Sequence, residues 1–227
     1  MINQKDVNVL IGCEESQTVT MEFRKLGFNA FSCDLKPCSG GYPEFHLQMD
    51  IFIAMQLRKW DFIGIHPVCT KMTLSGNRHY APGKEKHKER LDSVEWTVEL
   101  YETACCKSKH VYMENPMGAM NSDPRLPKPQ IIQPYYFGDK AMKTTCLWLQ
   151  GLPKLYHNKE INLFNEEITH VSQGNFMVHA SGKRMNEFHY KTSLLPQSQR
   201  AEARSKTFPG IAHAMATQWG EYLINTL

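Results

Sequence analysis

The sequence predicts an α/β fold built on a doubly wound, mostly parallel sheet, and three observations predict it. Short apolar runs bounded by polar residues recur at 7–12, 29–33, 61–65 and 110–113. Between them stand stretches with apolar residues at helical spacing. Polar side chains capable of chemistry sit at the ends of the runs, where open α/β sheets bind their ligands.

Each element has its own signal. Residues 7–12 are a short buried strand. Glu14, Glu15 and Ser16 follow, and then Val19, Phe23 and Leu26 at steps of three and four. That spacing predicts a helix with Ser16 as N-cap and Gly27 just past its end. A second strand over 29–33 ends on Asp34. A weaker helix and turn lead to Asp50, and a third strand over 61–65 ends at His66. Residues 71–90 interrupt the pattern. They carry Lys71, Arg78, Lys84, Lys86, Lys88 and Arg90 against only Glu85 and Glu89, with Gly76, Pro82 and Gly83 as breakers. The expectation there is a basic, mobile loop.

Leu91, Val94, Val98, Tyr101 and Cys105 then mark an amphipathic helix, and a fourth strand over 110–113 ends at Glu114-Asn115-Pro116. A proline-rich loop spans 116–130. Residues 131–137 and 145–149 predict an antiparallel strand pair. Residues 151–207 are short polar segments, and from His179 to Thr207 six basic residues stand against two acidic ones. Ile211, Met215, Trp219 and Tyr222 close the chain with a helix over 211–224. The organisation expected is one domain over 1–227 with a loop-rich C-terminal third, in which 154–204 is a short irregular segment.

Composition removes several function classes. The 227-residue chain is 41% hydrophobic and 22% charged, which suits a folded domain and not a disordered one. Its 26 Lys and Arg against 23 Asp and Glu give a net charge of +3, excluding a histone-like polycation while leaving room for a local basic patch. No apolar run reaches the roughly 18–20 residues of a membrane span. Residues 1–6 lack the apolar core of a signal peptide. The seven cysteines are scattered, with no CxxC and no Cys/His cluster at zinc-ligand spacing. Reduced thiols in the cytoplasm, and no metal, are the expectation.

The strand ends deliver Glu14, Glu15 and Ser16, then Asp34, then His66-Pro67-Val68-Cys69, then Glu114-Asn115-Pro116. An acid at the end of a second strand accepts from both hydroxyls of a ribose, and Asp50 can accept from an adenine amino group. Both aspartates serve equally well as turn or cap residues. The G-x-G-x-x-G fingerprint is absent, since Gly12 stands alone before two acids that would repel a phosphate. That disfavours a nicotinamide dinucleotide and favours S-adenosylmethionine. Cys69, close to His66 at a strand end, is placed to form a reactive thiolate, although most cysteines are inert and buried. Glu114 at a sheet end can be desolvated and act as an acid near neutral pH.

A Pro-x-Cys at the end of one central strand followed by Glu-Asn at the end of the next resembles the C5-cytosine DNA methyltransferase family. The chain is similar in particular to the small methylase-like proteins of bacteriophage genomes. The shared stretches are Cys13-Glu14-Glu15-Ser16-Gln17, 66–76, Glu114-Asn115-Pro116, 148–153 and 204–212. The resemblance implies a Rossmann-like, S-adenosylmethionine-dependent methyltransferase acting on cytosine in DNA, within a restriction-modification setting and in the host cytoplasm.

It further implies that Cys69 attacks C6 while Glu114 protonates or hydrogen-bonds N3 and Asn115 holds the nucleophile loop. Gly12, Glu14, Glu15, Ser16, Asp34, Asp50 and Pro67 become cofactor-binding residues. The target base must be flipped out or single-stranded. Lys71, Arg78, Lys84, Lys183, Arg184 and Arg204 become contacts to nucleic acid. Lys140 and Lys143 join them as substitutes for the family's paired arginines.

Three departures stand out. The cofactor loop lacks the family's glycines, Val68 replaces a proline, and 154–204 is short for a target-recognition region. They keep two alternatives open: an enzyme modifying a free pyrimidine nucleotide, and a methylase-fold protein that binds DNA or a nucleotide without turnover.

Overall fold

The computed structural model describes residues 2–158 and 169–227. Seven strands form the main sheet: β1 (Asn8–Gly12), β2 (Asn29–Asp34), β3 (His46–Gln48), β4 (Phe62–Ile65), β5 (His110–Pro116), β6 (Gln130–Ile132) and β7 (Thr145–Gln150). Their order is β3-β2-β1-β4-β5-β7-β6. The first five run parallel, and β7 runs antiparallel to both β5 and β6. This is the doubly wound, mostly parallel, Rossmann-like sheet with one reversed strand that the sequence predicts.

The helices are α1 (Thr18–Lys25), α2 (Ile51–Ala54), α3 (Asn77–Tyr80), α4 (His87–Lys107), α5 (Glu187–Ser193), α6 (Gln197–Ser205), α7 (Pro209–Ala214) and α8 (Gly220–Thr226). A π-turn over Met215–Trp219 joins α7 to α8. A separate hairpin pairs β8 (Phe176–Val178) with β9 (Arg184–Asn186).

Alternation along the strands divides the core between the two faces of the sheet. Val9, Ile11, Phe62, Tyr112 and Leu147 pack against α1 and the C-terminal helices through Val19, Phe23, Met215, Trp219 and Leu223. Leu10, Ile63, Ile65, Val111, Met113 and Trp148 pack on the other face against α2 and α4. The central strands are covered on both sides, which is why they read as unbroken apolar runs.

Several expectations are corrected. The run at 61–65 is the fourth strand, because three-residue β3 at the sheet edge is too short to show a period. Gln17, in the left-handed region at φ 58°, precedes α1 in place of Ser16, whose hydroxyl bonds Thr18 Oγ1 at 3.1 Å. The strand expected over 131–137 stops at Ile132, since residues 134–137 form a proline-initiated 3-10 turn.

The basic stretch 71–90 is built rather than loose. It contains α3 and the start of α4, and buried Arg90 donates to Lys71 O (2.7 Å), Asn77 Oδ1 (2.7 Å) and Thr73 O (3.3 Å). The buried face of α4 is Arg90, Thr97, Val98, Leu100, Tyr101 and Ala104, and Leu91 lies outside it, exposed. The segment 154–204 contains, among its described residues, the hairpin, α5 and most of α6; residues 159–168 lie outside the described residues.

Candidate active site

The chain passes from β1 to β2 on one side and from β4 to β5 on the other, so the winding reverses between β1 and β4. A reversal of this kind opens a crevice outside the carboxyl ends of the two strands. The loops after β1 and β2 form one wall, and those after β4 and β5 form the other.

On the first wall almost every polar side chain is committed to the scaffold. The Glu14 carboxylate, buried, accepts from Val19 N (2.6 Å), Thr20 N (3.2 Å) and Thr20 Oγ1 (2.6 Å) at the start of α1. Burial pushes its pKa up to about 7, against those three donors. Glu15 accepts from the Ser39 hydroxyl. Buried Gln17 clamps residue 42 with both ends of its amide, donating to Tyr42 O (2.8 Å) and accepting from Tyr42 N (3.1 Å). Gly12 gives Ile51 its space, for a Cβ there would lie 2.4 Å from Ile51 Cδ1.

Asp34 accepts from Lys36 N (2.9 Å) and Asp50 from Phe52 N (2.8 Å), the turn and cap roles that the residues alone allowed. Each uses Oδ1 and leaves Oδ2 without a hydrogen-bond partner among the described residues. Burial, with the Asp34 and Asp50 carboxylates adding to it, pushes the Cys13 thiol up.

The second wall is different. Pro67 is buried and its carbonyl accepts from Asn115 Nδ2 at 3.0 Å, fastening the loop that carries Cys69 to β5. The loop continues as a backbone zipper: Thr73 bridges Gly118, Ala119 N donates to Met72 O at 2.8 Å, and Leu74 N donates to Met117 O at 3.3 Å. Gly118 permits this approach, because a Cβ would stand 2.0 Å from Met72 O. Next to Cys69, Val68 is 72% exposed.

Cys69, Glu114 and Lys143 come from three different loops and strand ends yet act on one another. Burial and the Glu114 carboxylate raise the Cys69 thiol, and Lys143 pulls it down. Burial raises Glu114, and Lys143 again opposes. His66 Nδ1 lies 3.8 Å from Glu114 Oε2. Burial, with Lys143 adding to it, drives the His66 pKa down to about 3. The imidazole beside Glu114 is therefore neutral, and burial favours the protonated form of the carboxyl group. The Asn115 Oδ1 atom is buried with no hydrogen-bond partner among the described residues.

The cationic candidates are dispersed. Lys71 pairs with Glu89 at 3.1 Å, and Arg78 and Lys84 are exposed beside the Cys69 loop. Lys143 Nζ donates to Lys206 O at 3.5 Å, while Lys140 is exposed. Lys183 and Arg184 are exposed on the hairpin, with the Arg184 guanidinium 4.6 Å above the Phe176 ring. Arg204 is turned inward, donating to Thr192 Oγ1 (2.8 Å) and His189 O (3.3 Å), so it binds α6 to α5.

Sequence reasoning missed Tyr112, Arg90 and Gly118. A signal existed for the first: Gly64 stands in the middle of an apolar strand, and such a glycine marks a close approach by a neighbour.

No protein-family model matches the chain, and no curated protein is similar to it in sequence. Solved structures similar to it include a protein from an E. coli prophage described as a DNA modification methyltransferase, at 11% identity and TM-score 0.46, covering 74% of this chain and 53% of that one. The Entamoeba histolytica methyltransferase EhMeth is 15% identical, with TM-score 0.48 and coverage of 73% and 58%. The S. pombe Dnmt2 methyltransferase is 12% identical, with TM-score 0.42 and coverage of 70% and 54%. The chain thus spans little more than half the length of each of these structures.

Proposed function

We propose that this protein is a cytosine C5-methyltransferase acting on DNA through a covalent adduct with Cys69. The observation that carries the reading is the bond from Asn115 to Pro67 O at 3.0 Å, which fastens the Cys69 loop to the end of β5 that carries Glu114 and that pairs with the start of β7 next to Lys143. A thiolate at Cys69 bonds to C6 of the base, and the displaced π electrons reach N3, which takes the Glu114 proton. C5 becomes nucleophilic. After methylation a base removes the C5 proton, the C6–S bond breaks and Glu114 recovers its proton from N3.

The pairing of the Cys69 thiol with the Glu114 carboxyl suits this order of steps. Glu114, raised by burial, keeps its proton toward neutrality. While it is protonated it does not oppose the charge on Cys69, and Lys143 favours that charge.

S-adenosylmethionine, when bound, supplies an electrophilic methyl group. Asp34 and Asp50 fit its ribose and adenine, because each keeps one carboxylate oxygen open at the β2 end of the crevice. Gly12 and Pro67 shape the crevice floor. Glu14, Glu15 and Ser16 act through the scaffold, since their side chains already have partners. The exposed cations Arg78, Lys84, Lys140, Lys183 and Arg184, with Lys71, form the phosphate-facing surface. We assign the described part of 154–204 as a reduced target-recognition region.

The test is transfer of a labelled methyl group from S-adenosylmethionine to DNA, to free dCMP and to buffer alone, with Cys69→Ser alongside. Label in DNA that the variant loses supports the assignment. Label in dCMP alone moves the substrate to a free nucleotide. One observation favours a second reading, a methylase-fold protein that binds without turnover: residues 39–42 are bonded down over the loop after β1. Binding to DNA with no transfer to any substrate is the outcome that selects it.

A further inference from the structure

Phe62, Gly64 and His66 alternate onto one face of the sheet, as do Tyr112 and Glu114 on the adjacent parallel strand. Gly64 pairs with Tyr112 in the register, and a Cβ on Gly64 would lie 2.2 Å from the tyrosine ring. The missing side chain lets the ring lie over β4 and brings its hydroxyl 2.7 Å from His66 Nε2. The ring is held from the other side by Trp219 at a centroid distance of 4.9 Å.

Tyr112 is completely buried, and burial with Glu14 and Glu114 nearby holds its phenol protonated. Its O–H therefore has to donate. His66 Nε2 is its hydrogen-bond partner among the described residues, and a buried donor left without an acceptor is costly. The acceptor role fixes the imidazole tautomer: Nε2 carries the lone pair and Nδ1 carries the hydrogen. Nδ1 faces Thr207 Oγ1 at 3.4 Å and Glu114 Oε2 at 3.8 Å.

We propose that Tyr112 and His66 are positioning residues that present an N–H to Glu114 Oε2 and so assign the transferable proton of Glu114 to Oε1. The inference rests on the reading of Glu114 as proton donor to a pyrimidine N3. An N–H aimed at one carboxyl oxygen makes that oxygen the acceptor, and the O–H then resides on the other. Without Tyr112 the ring is free to adopt the opposite tautomer. Its Nδ1 lone pair would then compete with the base for the same proton. The groups facing this corner are Lys143 from the β6–β7 loop, Cys69 from the β4 loop, Cys146 on β7, Thr207 ahead of α7 and Glu14 at the end of β1.

The test uses the full-length protein labelled with nitrogen-15, in which the His66 ring shifts give its tautomer directly and His66→Gln assigns them. The wild type is expected as neutral Nδ1–H from pH 5 to 8, and Tyr112→Phe as a mixture or as Nε2–H. In parallel, alkylation of Cys69 by iodoacetamide is followed by peptide mass spectrometry from pH 5 to 9.5, with exposed Cys106 as internal control. The Glu114 inflection in that profile, absent in Glu114→Gln, is expected to move in Tyr112→Phe. Methyl transfer by Tyr112→Phe is expected to fall about tenfold in kcat with KM unchanged, part of what an oriented acid contributes.

A wild-type Nε2–H tautomer overturns the proposal without any variant, and so does a Tyr112→Phe alkylation profile that superimposes on the wild type. If the wild type transfers no methyl group while the tautomer and the alkylation shift hold, the reaction assignment fails and the positioning role stands.

Discussion

The two walls of the crevice are built from similar residues and treated in opposite ways. Around the ends of β1 and β2, Glu14, Glu15, Ser16 and Gln17 all have partners within hydrogen-bond distance. Around the ends of β4 and β5, Asn115 Oδ1 has none among the described residues, and the Glu114 carboxyl has the His66 imidazole 3.8 Å away, beyond hydrogen-bond distance. Buried polar groups in a native fold are nearly always paired. Paired groups such as Glu14 and Gln17 therefore serve as support, and the groups left open, Asn115 Oδ1 on one wall and the Oδ2 atoms of Asp34 and Asp50 on the other, are those available to a ligand. Residue type and position gave both clusters equal weight; hydrogen-bond accounting separates them.

Substitutions on the two walls should fail differently. Cys69→Ser is expected to abolish methyl transfer, by 10⁴-fold or more, while Tm and cofactor binding stay as in the wild type; retained transfer would remove the nucleophile from the second wall. Glu114→Gln is expected to cost about 10²–10⁴ in rate, the usual contribution of a placed acid, read by single-turnover label transfer. Glu14→Ala belongs to the first wall and should act on stability instead, lowering it by about 1–3 kcal/mol in denaturant titration because it uncaps α1 and leaves buried donors unpaired. Chemistry lost with stability intact in that variant would merge the two walls.

A pH experiment sharpens the contrast. His66 has a pKa of about 3 in the fold against an ordinary 6.5, so the folded state favours the neutral ring. Its contribution is present above pH 6.5 and is lost as pH falls from 6.5 toward 3. The loss is on the order of a few kcal/mol for a buried group with this shift. His66→Gln should flatten that acid limb of the stability curve, measured by urea unfolding at a series of pH values. The smallest effect expected is from Ser39→Ala, a partly exposed contact to Glu15, at well under 1 kcal/mol.

What the sequence disclosed follows from what periodicity can carry. Runs such as 61–65, buried on both faces, announce themselves, as do helices with a long repeat; β3, with three residues at an edge, has no period to detect. Cys69, Glu114 and Asn115 stood out because strand ends are where such folds place chemistry, and the bond from Asn115 to the Pro67 carbonyl is a contact of the kind the loop-holding expectation requires. Arg90 was counted among the cations of a mobile loop, because charge alone does not tell a solvated arginine from one that ties three loop groups together. Arg204, expected as a contact to nucleic acid, has its guanidinium bonded to Thr192 Oγ1 and His189 O. Tyr112 was hidden by its neighbours: one aromatic in an apolar strand is ordinary until the glycine opposite it is seen to leave it room.

The pairing of the last helices with the first ones has a consequence for biosynthesis. Phe23 and Phe62 are sealed by Met215, Trp219 and Leu223, Trp219 also donates to Pro153 O at 2.9 Å, and His213 reaches Glu22 at 3.1 Å. During synthesis, strands made from residues 8–65 wait for residues near 219 before that face of the sheet is covered. Apolar surface left open in this way is the kind that aggregates or is bound by chaperones, so the order of synthesis sets how long this sheet is vulnerable.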